Sequence, residues 1–251
     1  MRGGELSPEE RMLQINTILA SRHKQQASQL ASASRESRND EQIWWSLSKY
    51  KDPKSGRTYL MYASLKGDLD RAKFLIKHGA DVNATDKQEG YTSLIYASMY
   101  DHLNVARLLL DNGANVNFAS RRTGVDSLIW ASQEGHLNIA RLLVERGANV
   151  NAMYANALKL ACSYGRLEIA RLLLDNGANL NSEYDEDSKS CLMLAIENGR
   201  LKIVHLLLDR GADVNYMFHG TSCLKRARDY GYLDIARLLI ERGANDDKLQ
   251  S

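Results

Sequence analysis

The chain of 251 residues carries 33 Lys and Arg against 31 Asp and Glu, a formal net charge of +2. This near-balance argues against a strongly basic nucleic-acid binder, and no apolar run is long enough for a membrane span. The hydrophobic fraction of 44% is typical of globular proteins, and three cysteines are too few for a disulfide scaffold. We therefore expect an intracellular protein, with the cytoplasm favoured and the nucleus or an organelle matrix left open.

The first predicted element is a helix within an N-terminal extension, residues 1–40. The segment S-P-E-E at residues 7–10 has the pattern of a capping box with proline at the first helical position. Met12, Ile15 and Leu19 then recur on one helical face. We expect this amphipathic helix to fold back on the rest of the chain as a cap. The alternative is that it docks a partner protein or a membrane surface.

A helical half-repeat or cap is predicted next, at residues 41–55. This segment contains Trp44, Trp45 and Leu47, whose large apolar side chains are unfavourable in water. We therefore expect them to pack against the first element that follows.

A block of similar sequence occurs six times between about residues 56 and 245 and is followed by a short polar tail, residues 246–251. Its most regular part ends in a Gly-Ala pair, and a self-similar unit of 30 to 34 residues is typical of solenoid proteins. The glycine of that pair recurs as Gly79, Gly113, Gly147, Gly177, Gly211 and Gly243.

Each repeat is predicted to form a helix, a tight turn, a second helix that ends at the Gly-Ala pair, and a loop. The first helix follows a residue whose side chain can cap its free N–H groups: Thr58, Thr92, Asp126, Asn156, Ser190 and Ser222. It ends at a residue that tolerates left-handed backbone: Gly67, Asp101, Gly135, Gly165, Gly199 and Gly231.

This pattern resembles the ankyrin repeat, a unit of about 33 residues with a T-P-L-H-x-A signature. The resemblance implies an all-α solenoid of stacked antiparallel helix pairs with β-turn fingers. It also implies protein recognition on the concave side and no chemistry of its own. The proline and histidine of the signature never occur here, and we expect the apolar residues at the histidine position to add packing. The fourth repeat has a short finger, and the fifth finger, residues 182–190, is acidic.

No pattern in the sequence points to catalysis, a cofactor or a metal ion. His102 and His136 lie one repeat apart, which is too far for shared ligation, so we expect them to stabilise turns. Cys162, Cys191 and Cys223 are predicted to be buried, inert thiols. No phosphate-binding loop and no nucleophile elbow occurs. The chain is therefore predicted not to be an enzyme.

A basic residue recurs once per repeat in the second helix, which raises the possibility of a nucleic-acid surface. The members of this column are Lys73, Arg107, Arg141, Arg171, His205 and Arg237. Four positions after each of the four arginines of this column stands an acidic residue, which can pair within the helix. These residues are Asp111, Glu145, Asp175 and Glu241. We therefore expect a neutralised convex face and no nucleic-acid partner.

The resemblance places the end of each first helix on the concave groove. Aromatic residues and methionine, which are enriched at interface hot spots, cluster there in repeats one to three. The predicted protein-binding residues are Tyr62, Leu65, Tyr91, Tyr96, Met99, Tyr100 and Trp130. In the alternative interpretation these aromatic side chains only pack on one another. The corresponding residues of the last two repeats are expected to form a polar rim: Glu197, Asn198 and Asp229.

The predicted function is that of a non-catalytic interaction module that binds an unidentified protein as a scaffold, adaptor or subunit of a larger assembly. The alternative is an inhibitor or host-directed effector that blocks a target enzyme through the same groove.

Overall fold

The computed structural model describes residues 47–152, 157–180 and 189–245. The predicted N-terminal helix, the short fourth finger, the acidic fifth finger and the Asn156 cap lie outside this part of the chain. The described repeats hold the helices α1 (Tyr59–Lys66), α2 (Leu69–Lys77), α3 (Ser93–Met99), α4 (Leu103–Asp111), α5 (Ser127–Glu134), α6 (Leu137–Glu145), α7 (Ala157–Tyr164), α8 (Leu167–Asp175), α9 (Cys191–Glu197), α10 (Leu201–Asp209), α11 (Cys223–Asp229) and α12 (Leu233–Glu241).

The first helices begin and end where the sequence predicts. Five described cap residues accept a hydrogen bond from the third helical amide: Thr58, Thr92, Asp126, Ser190 and Ser222. Every predicted stop residue has a positive φ, from 60° at Asp101 to 93° at Gly135. At Gly67 a second constraint applies, because a Cβ atom would lie 2.5 Å from Nδ1 of His102 in the next repeat.

The finger of the sixth repeat is a short β-hairpin. Strand β1 (Met217–Phe218) pairs antiparallel with β2 (Thr221–Ser222). The two residues between the strands, His219 and Gly220, both have positive φ, as a type I′ turn requires.

The repeats stack because each first helix packs on the first helix of the next repeat, and each second helix packs likewise. A leucine on every first helix is at most 2% exposed: Leu60, Leu94, Leu128, Leu158, Leu192 and Leu224. The signature-histidine position is also buried where it is apolar, which confirms its predicted contribution to packing: Met61, Ile95, Ile129 and Met193. One continuous core therefore runs along the stack.

An asparagine near the end of each of the first three repeats links it to the next one. Asn117 Nδ2 donates to the carbonyl of Gly147 at 3.1 Å, and its Oδ1 accepts from the amide of Asn149 at 2.7 Å. Asn83 and Asn151 make the same pair of bonds. These contacts bridge backbone groups of neighbouring repeats at the base of the fingers.

The two described ends of the stack differ. At the start, Leu47 packs on the core and Ser48 Oγ donates to the carbonyl of His78 at 2.8 Å, so this part of the predicted half-repeat contacts the first repeat. At the other end Arg228 is exposed on α11. However, Leu233 and Ile240 on α12 are 69% and 50% exposed. The second helix of the last repeat therefore exposes apolar side chains among its charged ones.

The convex face is neutralised differently from the prediction. Asp111 and Asp175 were expected to pair with the arginine one turn earlier in their own helix, and this is wrong. The acid at the end of one second helix instead pairs with the arginine after the next second helix, at 2.8 Å in each case: Arg146 with Asp111, Arg210 with Asp175 and Arg242 with Asp209. Stacking places that arginine beside the acid, so these ion pairs join repeats.

Candidate interaction groove

Five of the predicted binding residues keep some exposure at the ends of the first helices of repeats one to three. Tyr100 is 48% exposed, and the other four are partly buried. We call these five residues the groove patch: Tyr62, Leu65, Met99, Tyr100 and Trp130. Two equivalents of Tyr100 further along the stack, Tyr164 and Tyr230, are exposed to a similar degree.

The other two predicted residues lie beneath the patch. Tyr91 and Tyr96 are only 7% and 3% exposed and form a buried cluster with Met61 and Ile95. The Tyr91 ring meets the ring of Trp130 edge to face, with centroids 6.3 Å apart. The two tyrosines therefore support the groove patch rather than present their own side chains.

Tyr96 is fixed by a polar network that reaches into the finger. Its hydroxyl donates to Asp86 Oδ2 and accepts from Arg57 Nε at 3.0 Å. The Arg57 guanidinium also lies over the tyrosine ring, 5.1 Å from its centroid. Burial and the neighbouring carboxylate raise the pKa of Tyr96. This network locks the aromatic cluster to the base of the finger.

Tyr62 repeats this arrangement one repeat earlier. Its hydroxyl donates to Asp52 Oδ2 at 3.3 Å, and burial raises its pKa. Hydrogen bonds from the Lys54 amide and the Ser55 hydroxyl lower the pKa of Asp52. Asp52 and Asp86 therefore hold one tyrosine each in adjacent repeats.

The groove backbone is held by the residue that follows the left-handed turn in repeats two to five. His102 Nε2 donates to the Leu65 carbonyl at 3.0 Å, and His136 Nε2 donates to the Met99 carbonyl at 3.1 Å. The predicted turn-stabilising role of these histidines is confirmed. Arginines take the same place further on, where Arg166 Nε donates to the Gln133 carbonyl at 3.0 Å.

Glu197 does not behave as a rim residue. Its side chain is 11% exposed and lies 2.6 Å from Lys189 Nζ and 3.5 Å from Arg226 Nε. Asp229, by contrast, is exposed and pairs with Lys225 on its own helix at 3.2 Å. Of the two residues, only Asp229 is therefore exposed as expected for a rim, whereas Glu197 is largely buried between two cations.

The cysteines are buried and free, as predicted. Burial raises the pKa of the Cys223 thiol to about 12, and the contact with Cys191 raises the pKa of Cys162. A thiol that stays protonated is a poor nucleophile. Within the described residues no group of three His, Cys, Asp or Glu side chains is arranged to hold a metal ion.

These features define a repeat protein with an aromatic patch at the ends of its first helices, supported by a buried aromatic cluster. The family model described as ankyrin repeats (3 copies) matches residues 29–120, 60–154, 119–184 and 158–249. The chain therefore belongs to the ankyrin-repeat family, whose members are generally protein–protein interaction modules and typically non-catalytic. The predicted all-α solenoid is confirmed.

Among solved structures, the chain is similar to the human ASB11 ankyrin repeat domain. The two share 29% sequence identity with a TM-score of 0.70, over 75% of this chain and 85% of that one. A search of the curated proteins finds no match. None of the described helices is long and apolar enough to cross a membrane.

Proposed function

We propose that the chain is a non-catalytic scaffold, adaptor or assembly subunit that binds a protein partner through the groove patch of repeats one to three. The exposure of Tyr100 on a rigid support carries this proposal. Half of a large amphipathic side chain is open to a partner there, and aromatic residues with such access dominate binding energy at interfaces.

Preorganisation of the patch supports the same assignment. The backbone of Leu65 and Met99 is fixed by the histidine of the following repeat. The buried cluster that includes Tyr96 holds the patch from below. A surface that is already ordered loses little conformational entropy when a partner binds.

The chain offers a matched pair of variants for a test. Tyr100 and Tyr164 occupy the same place in their repeats and are 48% and 47% exposed. Tyr100→Ala should weaken partner binding at least tenfold, about 1.4 kcal/mol, while Tyr164→Ala should leave it within about twofold. Both variants should melt close to the wild-type temperature, because neither residue is buried.

The assay is quantitative capture from a native lysate on immobilised wild-type protein and on each variant, followed by titration of the recovered partner. A partner that is lost with Tyr164→Ala and retained with Tyr100→Ala would place the binding surface elsewhere. That surface would then be the groove of the fourth repeat, and a partner retained by both variants would point to the acidic finger or the N-terminal helix.

A further inference from the structure

The first three fingers are rich in positive charge. We define them as residues 51–57, 85–91 and 119–125, which contain six Lys and Arg residues and three Asp and Glu residues. This local excess contrasts with the near-neutral chain as a whole. Whether a partner meets this excess of positive charge depends on what the three acidic side chains pair with.

All three acids are engaged within the fingers. Asp86 is buried and accepts hydrogen bonds from the amides of Glu89, Gly90 and Tyr91 in addition to the Tyr96 hydroxyl. Glu89 pairs with Arg122 at 2.8 Å.

Asp52 is turned inward in the same way. Its oxygens accept from the Lys54 amide and from the Ser55 hydroxyl, each at 2.9 Å, besides Tyr62. The three carboxylates therefore make hydrogen bonds or ion pairs within the fingers, whereas several of the lysine and arginine side chains pair with no acid.

Four exposed cations of the fingers, one of them Lys51, have no acidic group within 4 Å among the described residues. We take one of them from each finger as the finger stripe: Lys54, Lys87 and Arg121. Lys87 Nζ donates to the carbonyl of Pro53 at 3.2 Å, so its side chain lies along the preceding finger. A cleft of about 370 Å³ is lined by Lys87, Phe118 and Arg121, among others.

The stacking of the fingers sets the spacing of this stripe. The Lys87 amide donates to the Ser55 carbonyl at 2.8 Å, and the Ser120 hydroxyl donates to the Glu89 carbonyl. Neighbouring fingers thus follow the spacing of packed helices, about 8–10 Å. An extended peptide in the polyproline II conformation rises about 3.1 Å per residue with three residues per turn, so its every third side chain lies on the same side and would meet the next cation.

We propose that the finger stripe binds an extended acidic segment of the partner, with a carboxylate at about every third residue. This inference rests on the proposed function, since it assigns a chemical class to part of the same partner. Nucleic acid fits less well, because three phosphate contacts release only about three counterions and give weak binding at physiological salt. The cleft beside Phe118 would accept an apolar side chain between two of the acids.

The test uses the full chain and labelled peptides in fluorescence anisotropy. The probe is a fluorescein-labelled peptide of about ten residues with glutamate at every third position and small or apolar residues between. The comparison peptide has the same composition with its glutamates adjacent. We expect the spaced peptide to bind at least threefold more tightly than the clustered one, and its affinity to fall with salt.

Two triple variants separate the finger stripe from charge in general. The first reverses the stripe with Lys54→Glu, Lys87→Glu and Arg121→Glu. The matched control changes the net charge equally in the same three repeats, on the convex face, with Lys73→Glu, Arg107→Glu and Arg141→Glu. The stripe variant should bind the spaced peptide at least tenfold more weakly, and the control should remain within about threefold of wild type.

Several outcomes would overturn the proposal: equal loss in both triple variants, equal binding of the two peptides, or tighter binding of a single-stranded oligothymidine of similar length. Tyr100→Ala serves as a further arm, because a peptide without an aromatic anchor should not depend on it. If the peptide result fails while capture of the native partner still requires Tyr100, the finger assignment is wrong and the groove assignment stands.

Discussion

Replacing Asn117 with alanine removes one complete link between the second and third repeats. The variant loses the 3.1 Å bond to the Gly147 carbonyl and the 2.7 Å bond from the Asn149 amide. A net contribution of about 0.5–1.5 kcal/mol for each bond gives a loss of about 1–3 kcal/mol. The side chain is exposed, and water can replace part of the lost bonding, so we expect the lower half of that range.

The measurement is urea unfolding followed by circular dichroism, with the slope of the transition compared between variants. Asn112→Ala is the control. Its amide is equally exposed and donates at 2.8 Å to the Leu108 carbonyl of its own helix, without linking repeats. We expect that variant to lose about 0.5 kcal/mol or less, as for an exposed side chain outside a network. Equal losses for Asn117→Ala and Asn112→Ala would refute the inter-repeat argument.

Two further substitutions test groups that the structure buries. Burial raises the pKa of Asp126, so its native form holds a proton to higher pH and its contribution to stability falls as pH rises through that pKa. The stability of Asp126→Thr, which copies the caps Thr58 and Thr92, should therefore rise relative to wild type as the pH increases from about 3 to 7. Thermal melts of both proteins at each pH measure this difference. A difference that stays constant with pH would contradict the reasoning. Glu197→Ala should cost about 1–2 kcal/mol of unfolding free energy, because it leaves Arg226 without its carboxylate. A melt unchanged from wild type would show that this pairing contributes nothing.

The sequence predicts the architecture well because the relevant constraints are local and repeat. A cap such as Thr92 needs only a side-chain oxygen placed before a helix, and a stop such as Gly135 needs only freedom at φ. Both requirements leave single-residue signatures at a fixed interval. Asp101 shows the same rule with a different residue, since it occupies the left-handed region at φ 60°.

The groove was harder to predict, because the spacing of residues specifies a helix face but not the depth of each side chain. Tyr96 and Tyr100 both belong to the predicted patch, yet they are 3% and 48% exposed. A signal was nevertheless present. Asp52 and Asp86 lie 34 residues apart, as do Tyr62 and Tyr96. Each carboxylate accepts a hydrogen bond from the hydroxyl of its tyrosine. A polar partner in register with an aromatic residue indicates a buried hydroxyl.

The convex ion pairs were mispredicted for a related reason. Pairing within a helix can be read from a four-residue interval, and Arg107 with Asp111 satisfies it. In the stack, however, Arg146 approaches Asp111 from the following repeat at 2.8 Å. In a repeat protein, an acid can therefore pair with a basic residue about one repeat further along the chain as well as with one four residues away in its own helix.

The residues that hold the groove backbone differ along the stack. His102 and His136 donate to the carbonyls of Leu65 and Met99 in the first two repeats, and the Tyr100 ring stacks on His102 with centroids 6.5 Å apart. Arg166 and Arg200 make the equivalent bonds to the carbonyls of Gln133 and Ser163 in the third and fourth repeats. A flat imidazole gives an aromatic side chain a face to pack on, whereas a guanidinium brings a fixed positive charge to the groove. The same backbone bond is therefore made by two residue types, and each type adds a different side-chain surface to the groove.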